Sequence, residues 1–303
     1  MSEYRITVFT PTYNRAYIIS NLFESLKRQS YQEFEWLVID DGSTDDTEEL
    51  FKKFKQEDIK FELNYYKKKN GGQHRALNDA IPKAKGELFM IVDSDDFLAD
   101  NALERIIFYA DSIKSKNGFA GVSGLRCYMN GDTIGGTWKS KSAFVDATNL
   151  ERIKYGLLGD KAEAYYTEVL RKYYPIPEFE GENDVDKGIL WNRIGHEGLK
   201  VRWFGENIYF CEYLNDGMSR NQYSNQLKNF QGYTATVSES YDYYEIPMLI
   251  RWKNLIRYFE VVHLKKVNVK DVREKFSGRY YKLYLASIAS YFTKYIHLKK
   301  RWK

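Results

Sequence analysis

Four short apolar runs limit what this chain can fold into. Ile6 to Thr10, Trp36 to Ile39, Phe61 to Tyr65 and Leu88 to Val92 are rich in β-branched and aromatic residues, and stretches with helical spacing separate them. Ile18, Ile19, Leu22, Phe23 and Leu26 trace one helix, Thr47 to Phe54 a second, and Arg75 to Lys83 a third after Gly71-Gly72. Alternation of this kind builds βαβ units around a largely parallel sheet. Leu103, Ile106, Ile107, Ala110 and Ile113 continue it as an amphipathic helix, followed by a strand from Ala120 to Tyr128. Beyond residue 130 the periodicity weakens, until a helix from about Gly188 to His196 and strand-like pieces at Val201 to Phe204 and Ile208 to Tyr213.

Polar clusters sit where three of the strands end: Thr10 to Arg15, Asp40 to Ser43 and Asp93 to Asp96. Open α/β sheets bind ligands outside the carboxyl ends of their strands, where the strand order reverses. One shared crevice accounts for all three clusters, although each alone also suits a turn or a helix cap. Asp93-Ser94-Asp95 has the chemistry of a hard-cation site, in which one or two carboxylates combine with substrate phosphates and water. An EF-hand is excluded, because Phe97 and Leu98 occupy the fifth and sixth loop positions. Without a cation, a diphosphate beside these aspartates meets repulsion of about 4 kcal/mol per charge pair at about 4 Å and an effective dielectric of about 20. Metal dependence follows, with a cap at Asp95 or Asp96 as the competing reading. Gly71-Gly72 ahead of a helix lets backbone N–H groups approach phosphate, and Arg75 adds a bidentate donor. Neither GxxxxGK[ST] nor a GxGxxG after the first strand is present, which argues against ordinary P-loop ATPases and NAD enzymes.

The 303 residues suffice for one large α/β domain with an appendage. Charge divides along the chain. Residues 251–303 hold 15 Lys/Arg against 3 Asp/Glu, a net of +12, which leaves 31 against 39, a net of −8, for residues 1–250. Leu283 to Thr293 is uncharged, too short to span a bilayer, and flanked by Arg279, Lys282, Lys294, Lys299, Lys300 and Arg301. This composition suits a helix lying on an anionic membrane surface, against the alternative of a packed helix; nucleic acid is not an expected partner. The start of the chain runs straight into a strand pattern, no N-x-[ST] acceptor occurs, and only Cys127 and Cys211 are available, so a cytoplasmic protein on the inner face of the plasma membrane is the expectation.

Taken together, Thr10-Pro11-Thr12-Tyr13-Asn14-Arg15, Val38-Ile39-Asp40-Asp41-Gly42-Ser43-Thr44-Asp45, Asn70-Gly71-Gly72 with Arg75, Ala76 and Asn78, and Val92-Asp93-Ser94-Asp95-Asp96 resemble the ordered motifs of family 2 glycosyltransferases with the GT-A fold. A looser resemblance to bacterial polysaccharide-forming members continues through Gly159-Asp160-Lys161, Gly181-Glu182, Trp191-Asn192-Arg193-Ile194 and residues 213–219. It implies a GT-A, Rossmann-like, mostly parallel sheet with flanking helices over residues 1–220, its nucleotide-binding half in 1–100 and its acceptor-binding half in 101–220. Residues 221–303 then form a C-terminal helical, basic and aromatic appendage.

The resemblance also implies roles. Thr10, Pro11, Thr12, Tyr13, Asn14 and Asp41 bracket base and ribose, and Asp40 supports the turn. Gly71, Gly72, Arg75 and Asn78 lie at the donor nucleotide, as do Asp93 and Ser94. Asp95 is the more direct ligand of Mn²⁺ or Mg²⁺, with Asp93 beside it. The activity implied is inverting transfer from a UDP-sugar to a hydroxyl of a cell-surface glycan or lipid-linked acceptor, with a carboxylate as general base, a contribution of about 10² to 10⁴ in rate. Many relatives place that carboxylate four residues before the helix tryptophan, where this chain has Lys187. Asp186 is the nearest substitute, followed by Glu182, with Asp184 between them. Lys187 keeps open a glycan-assembly subunit that binds sugar nucleotides with little or no transfer, and the acidic motif keeps open a metal-dependent nucleotidyltransferase.

Overall fold

The structure, a computed structural model, describes residues 2–211, 222–276, 282, 283 and 285–290. The chain divides into two compact units, Met1–Pro175 with Arg193–Asn215, and Ile176–Asn192 with Asp216–Lys303. The sequence places residues 1–220 in a single domain; the structure groups the 176–192 segment with the C-terminal region instead.

The first unit contains a nine-stranded sheet among the described residues. Its strands are β1 (Tyr4–Thr12), β2 (Phe34–Asp40), β3 (Glu62–Lys67), β4 (Gly86–Ile91), β5 (Phe97–Leu98), β6 (Phe119–Tyr128), β7 (Phe144–Ala147), β8 (Lys161–Tyr166) and β9 (Lys200–Cys211), in the order β3-β2-β1-β4-β8-β6-β9-β5 with β7 also on β9. From β3 to β4 every ladder is parallel. β8 runs antiparallel to both β4 and β6, and the rest is mixed. The order reverses where β1 meets β4, so the carboxyl ends of β1, β2 and β4 open onto one crevice.

Helices α1 (Ser20–Lys27), α2 (Thr47–Phe54), α3 (Gln73–Lys83), α4 (Ala102–Asp111) and α5 (Thr167–Tyr173) flank this sheet, and α6 (Gly188–His196) is where the chain passes from the 176–192 segment back into the first unit. All seven residues of β2 are buried, as a strand covered on both faces requires. Against it, Phe23 stacks on Phe54 at 3.9 Å and Phe34 on Phe61 at 4.7 Å between ring centroids. α2 has Glu48 and Glu49 in its first turn and Lys52 and Lys53 in its last, complementing the helix dipole. These contacts anchor the strands whose ends carry the polar clusters.

The second unit contains α7 (Gln222–Lys228), α8 (Phe230–Ser240), α9 (Met248–Leu264) and α10 (Val269–Arg273) around a core of Phe230, Leu255, Tyr258, Phe259 and Val262. Leu283 and Ala286 belong to that core, and Ser287 and Ser290 are buried too. One face of the uncharged stretch read as a membrane-facing element is therefore packed in its described part, because its small and apolar residues recur at helical spacing, while Ile288 is exposed. Arg279, the basic residues from Lys294 onward and the 213–219 motif lie outside the described residues. Among the described residues no helix is long and apolar enough to cross a membrane.

Candidate active site

Two loops close one side of the crevice through reciprocal contacts. The Asn14 N–H donates to Ser43 Oγ at 2.9 Å, and Asn14 Oδ1 accepts from the Thr44 N–H at 2.7 Å. Asn14 has φ +52°, which its short polar side chain tolerates. Asp40, fully buried, accepts from the Ser43 N–H at 2.7 Å and from the Tyr65 hydroxyl, and so closes the turn after β2. Gly42, at φ +85°, lets that turn pass under Asn70, where a Cβ would lie 2.8 Å from the Asn70 nitrogen.

Several of the residues expected to face a nucleotide are engaged by the protein itself. Thr10 is fully buried, and its hydroxyl accepts from Trp36 Nε1 at 2.9 Å, which ties it into the core between β1 and β2. The expected phosphate cradle at Gly71-Gly72 is likewise different. Both N–H groups donate to the carboxylate of Asp41, at 2.9 and 2.6 Å, because the buried Asp41 needs donors and the glycine loop supplies them. Arg75 turns back to the Gly71 carbonyl at 2.5 Å. Asn78 is buried on α3. On the open side, Tyr13 is 48% exposed, Pro11 is partly exposed, and the buried Thr12 hydroxyl has no hydrogen-bond partner among the described residues. A buried hydroxyl without a partner at a strand end is a place for a ligand atom.

The acidic edge after β4 is built from both halves of the sheet. Asp93 accepts from Gln73 Nε2 at 3.1 Å and from Arg126 Nη1 at 3.3 Å, and its N–H donates to the Tyr209 hydroxyl at 2.9 Å. Arg126 lies over the Tyr209 ring at 4.0 Å. Asp95 lies 3.9 Å from the Arg15 guanidinium, and Ser94 beside it is buried. Burial and the negative charge of Asp93 push the Asp96 carboxyl up to about 7. Sequence reasoning missed Arg126, Tyr209 and Gln73 as supports of Asp93. The available signal was a single arginine within the otherwise uncharged β6.

Among the described residues no group of three or more His, Cys, Asp or Glu forms a cation cage. A divalent cation here would take Asp95 as its protein ligand, with Asp93 alongside, and complete its sphere with phosphate oxygens and water. This donor set fits Mg²⁺ or Mn²⁺.

The acidic segment 182–186 lies in the second unit. Glu182 is buried, and its two oxygens accept from the N–H groups of Gln231 and Gly232, at 2.7 and 2.8 Å, in the first turn of α8. In return Asn229 Oδ1 accepts from the N–H groups of Asn183 and Asp184, at 2.9 and 3.2 Å. Glu182 thus caps a helix. Burial, with the nearby Asp186 charge, raises the Asp184 carboxyl above its ordinary range, against the opposing hydrogen bond from Asn225. Asp186 is exposed and accepts from the Gly188 N–H at 2.8 Å.

Comparisons with known proteins bear on this arrangement. A family model described as Glycosyl transferase family 2 matches residues 7–173. The UDP-Glc:alpha-D-GlcNAc-diphosphoundecaprenol beta-1,3-glucosyltransferase WfgD of Escherichia coli is 33% identical over 136 residues, 45% of this chain and 51% of WfgD. The match takes in between 15% and 51% of the lengths of the curated relatives compared. Among solved structures, S. aureus TarS 1-349 in complex with UDP-GlcNAc superposes with a TM-score of 0.63 at 21% identity, covering 86% of this chain and 73% of that one. The mannosyltransferase PcManGT from Pyrobaculum calidifontis, in complex with GDP-Man and Mn²⁺, gives 0.59 at 16% identity, covering 96% and 80%.

Proposed function

The chain belongs to glycosyl transferase family 2, and on that footing we propose that it is an inverting transferase moving a sugar from a nucleoside diphosphate, UDP in the first instance, to a hydroxyl of a cell-surface glycan or lipid-linked acceptor. The observation that carries the proposal is the crevice at the ends of β1, β2 and β4. It combines an exposed tyrosine, a buried hydroxyl without a hydrogen-bond partner among the described residues, and the neighbouring carboxylates of Asp93 and Asp95. In this reading Tyr13 and Asn14 flank the base, Thr12 and Asp93 meet the ribose, and Asp41 orders the glycine loop through its N–H groups. Asp95 holds a divalent cation, which when bound offsets the charge of the diphosphate. The UDP-GlcNAc held by TarS, the Mn²⁺ held by PcManGT and the diphosphoundecaprenol in WfgD's name support the donor, metal and acceptor classes.

Asp186 is the proposed base, since Glu182 is engaged as a helix cap. Incubating the protein with a panel of sugar nucleotides, with and without Mn²⁺, and detecting free UDP tests the proposal. Pyrophosphate release in place of UDP would mark a nucleotidyltransferase. UDP binding without turnover would support the assembly-subunit reading that Lys187 raises.

Contact with an anionic bilayer is part of the proposal, relocated within the second unit. Tyr244, Met248 and Leu249 are 76%, 64% and 67% exposed at the start of α9, beside Arg251 and Lys253. Such a patch combines apolar anchors with cations for lipid phosphates.

A further inference from the structure

We propose that the cleft between Trp138 and Tyr155 is an acceptor subsite for a negatively charged glycan. The inference rests on the transferase reading and names the class of acceptor. Its position follows from the sheet. β8 pairs with β4 in the register Leu88 to Tyr166 and Met90 to Ala164, and continuing that antiparallel register brings Lys161 level with Asp93. Arg126 joins the two positions, with Nε donating to the Lys161 carbonyl at 2.9 Å and Nη1 to Asp93 at 3.3 Å. The cleft is shallow, enclosing only about 10 Å³, so a sugar would lie across its mouth; Lys161, Leu157 and Ser140 line it with Trp138, Lys139 and Tyr155.

Its walls are fixed. The buried Lys161 ammonium donates to the carbonyls of Ile134 and Asp160, each at 3.3 Å, and to that of Leu158, tying together the segments on either side. Trp138 is held by an Nε1 hydrogen bond to the Ser142 carbonyl at 3.1 Å and lies on Gly205, where any Cβ would come within 2.7 Å of the indole. Tyr155 and Leu158 stay 47% and 49% exposed. Aromatic faces that are ordered yet open suit the apolar faces of sugar rings.

Charge gives the class of ligand. Residues 136–161 contain Lys139, Lys141, Arg152, Lys154 and Lys161 against Asp146, Glu151 and Asp160. Asp146 is paired with Arg202 at 2.7 Å, Glu151 with Lys154 at 3.5 Å and Arg152 with Glu163 at 3.8 Å, and the Lys161 ammonium is taken up by carbonyls, so the positive rim is that of Lys139 and Lys141. Lys139 and Lys141 are exposed and have no ion pair among the described residues. An ammonium donates hydrogen bonds and accepts none, so this rim matches uronate or phosphate oxygens better than a neutral hydroxyl surface.

Calorimetric titration of the full chain, in the presence of UDP and at low salt, with a hyaluronan hexasaccharide and with neutral chitohexaose tests the inference. The charged probe should bind about five to ten times more tightly. K139E/K141E should abolish that preference, W138A should weaken both probes, and the remote charge reversal K53E/K55E should change neither. Equal binding of the two probes by the unmodified protein, or an equal loss in K53E/K55E, overturns the subsite. UDP affinity, measured in the same samples, reports separately on the nucleotide crevice: its absence in the unmodified protein defeats the transferase reading, whereas its presence without probe discrimination defeats the subsite alone.

Discussion

Replacing Glu182 separates a structural carboxylate from a catalytic one. In the structure its oxygens receive the Gln231 and Gly232 N–H groups at 2.7 and 2.8 Å, with the side chain buried. A hydrogen bond to a charged group contributes about 1.5–3 kcal/mol, and an anion at a helix N-terminus adds up to about 2 kcal/mol when partly buried. These contributions overlap, so Glu182→Ala should cost about 3–4 kcal/mol, consistent with the upper range for loss of a cap plus two unpaired buried donors. Glu182→Gln keeps one good acceptor and loses the charge, so about half that cost is expected. Thermal unfolding followed by circular dichroism measures both, and UDP release measures turnover. The expected pattern is a fall in melting temperature in the order wild type, Gln, Ala, with turnover of the Gln variant within about a factor of 10 of wild type at temperatures where it remains folded, far from the loss a missing base produces. A Gln variant that melts with wild type but has lost about a thousandfold or more in turnover would refute the capping argument and return Glu182 to the catalytic role.

Asp95→Ala should tighten UDP binding without metal, because one like charge is gone, and remove the gain produced by Mn²⁺, as read by calorimetry; an undiminished gain would take Asp95 out of the metal site. Burial, with Arg152 nearby, pushes Lys161 down to about 8 in the folded chain. Between that value and the ordinary lysine value of about 10.5 the unfolded chain binds more protons, so stability should rise with pH across this window by up to about 3 kcal/mol. Denaturant titrations should show this rise in wild type relative to Lys161→Met, and parallel pH curves would contradict it. Met248→Ser with Leu249→Ser should reduce flotation with anionic vesicles while leaving UDP affinity intact, and undiminished flotation would remove the α9 corner as the bilayer contact.

Where periodicity was strong the sequence sufficed: α2 spans Thr47–Phe54 and α6 spans Gly188–His196, as their spacing predicts. β8 was not legible. Lys161–Tyr166 contains Ala162, Glu163 and Ala164, residues depleted in strands, and it is inserted between β4 and β6, so nothing adjacent in sequence announces it. β9 reads as two strands because Gly205-Glu206-Asn207 interrupts the pattern, yet it is continuous from Lys200 to Cys211, with its irregularity absorbed as register shifts against β6. At the candidate site, the motifs pick out loops that meet at the strand ends without distinguishing residues open to a ligand from residues that hold those loops. Thr10, Gly71 and Gly72 carry motif positions, and their polar groups are engaged by Trp36 and Asp41. That partition depends on contacts between β1 and β2 and between the β2 turn and the glycine loop, which a linear pattern does not contain.

The exchange between the 182–184 segment and the first turn of α8 makes two distant stretches of chain a single inheritable part. A lineage that trades its C-terminal helices for others loses the donors that seat Glu182 and the amide that seats Asn183 and Asp184. Recombination that exchanged the C-terminal helices would thus succeed only if the short acidic stretch travelled with them, which ties the evolution of the candidate proton acceptor to that of the C-terminal region.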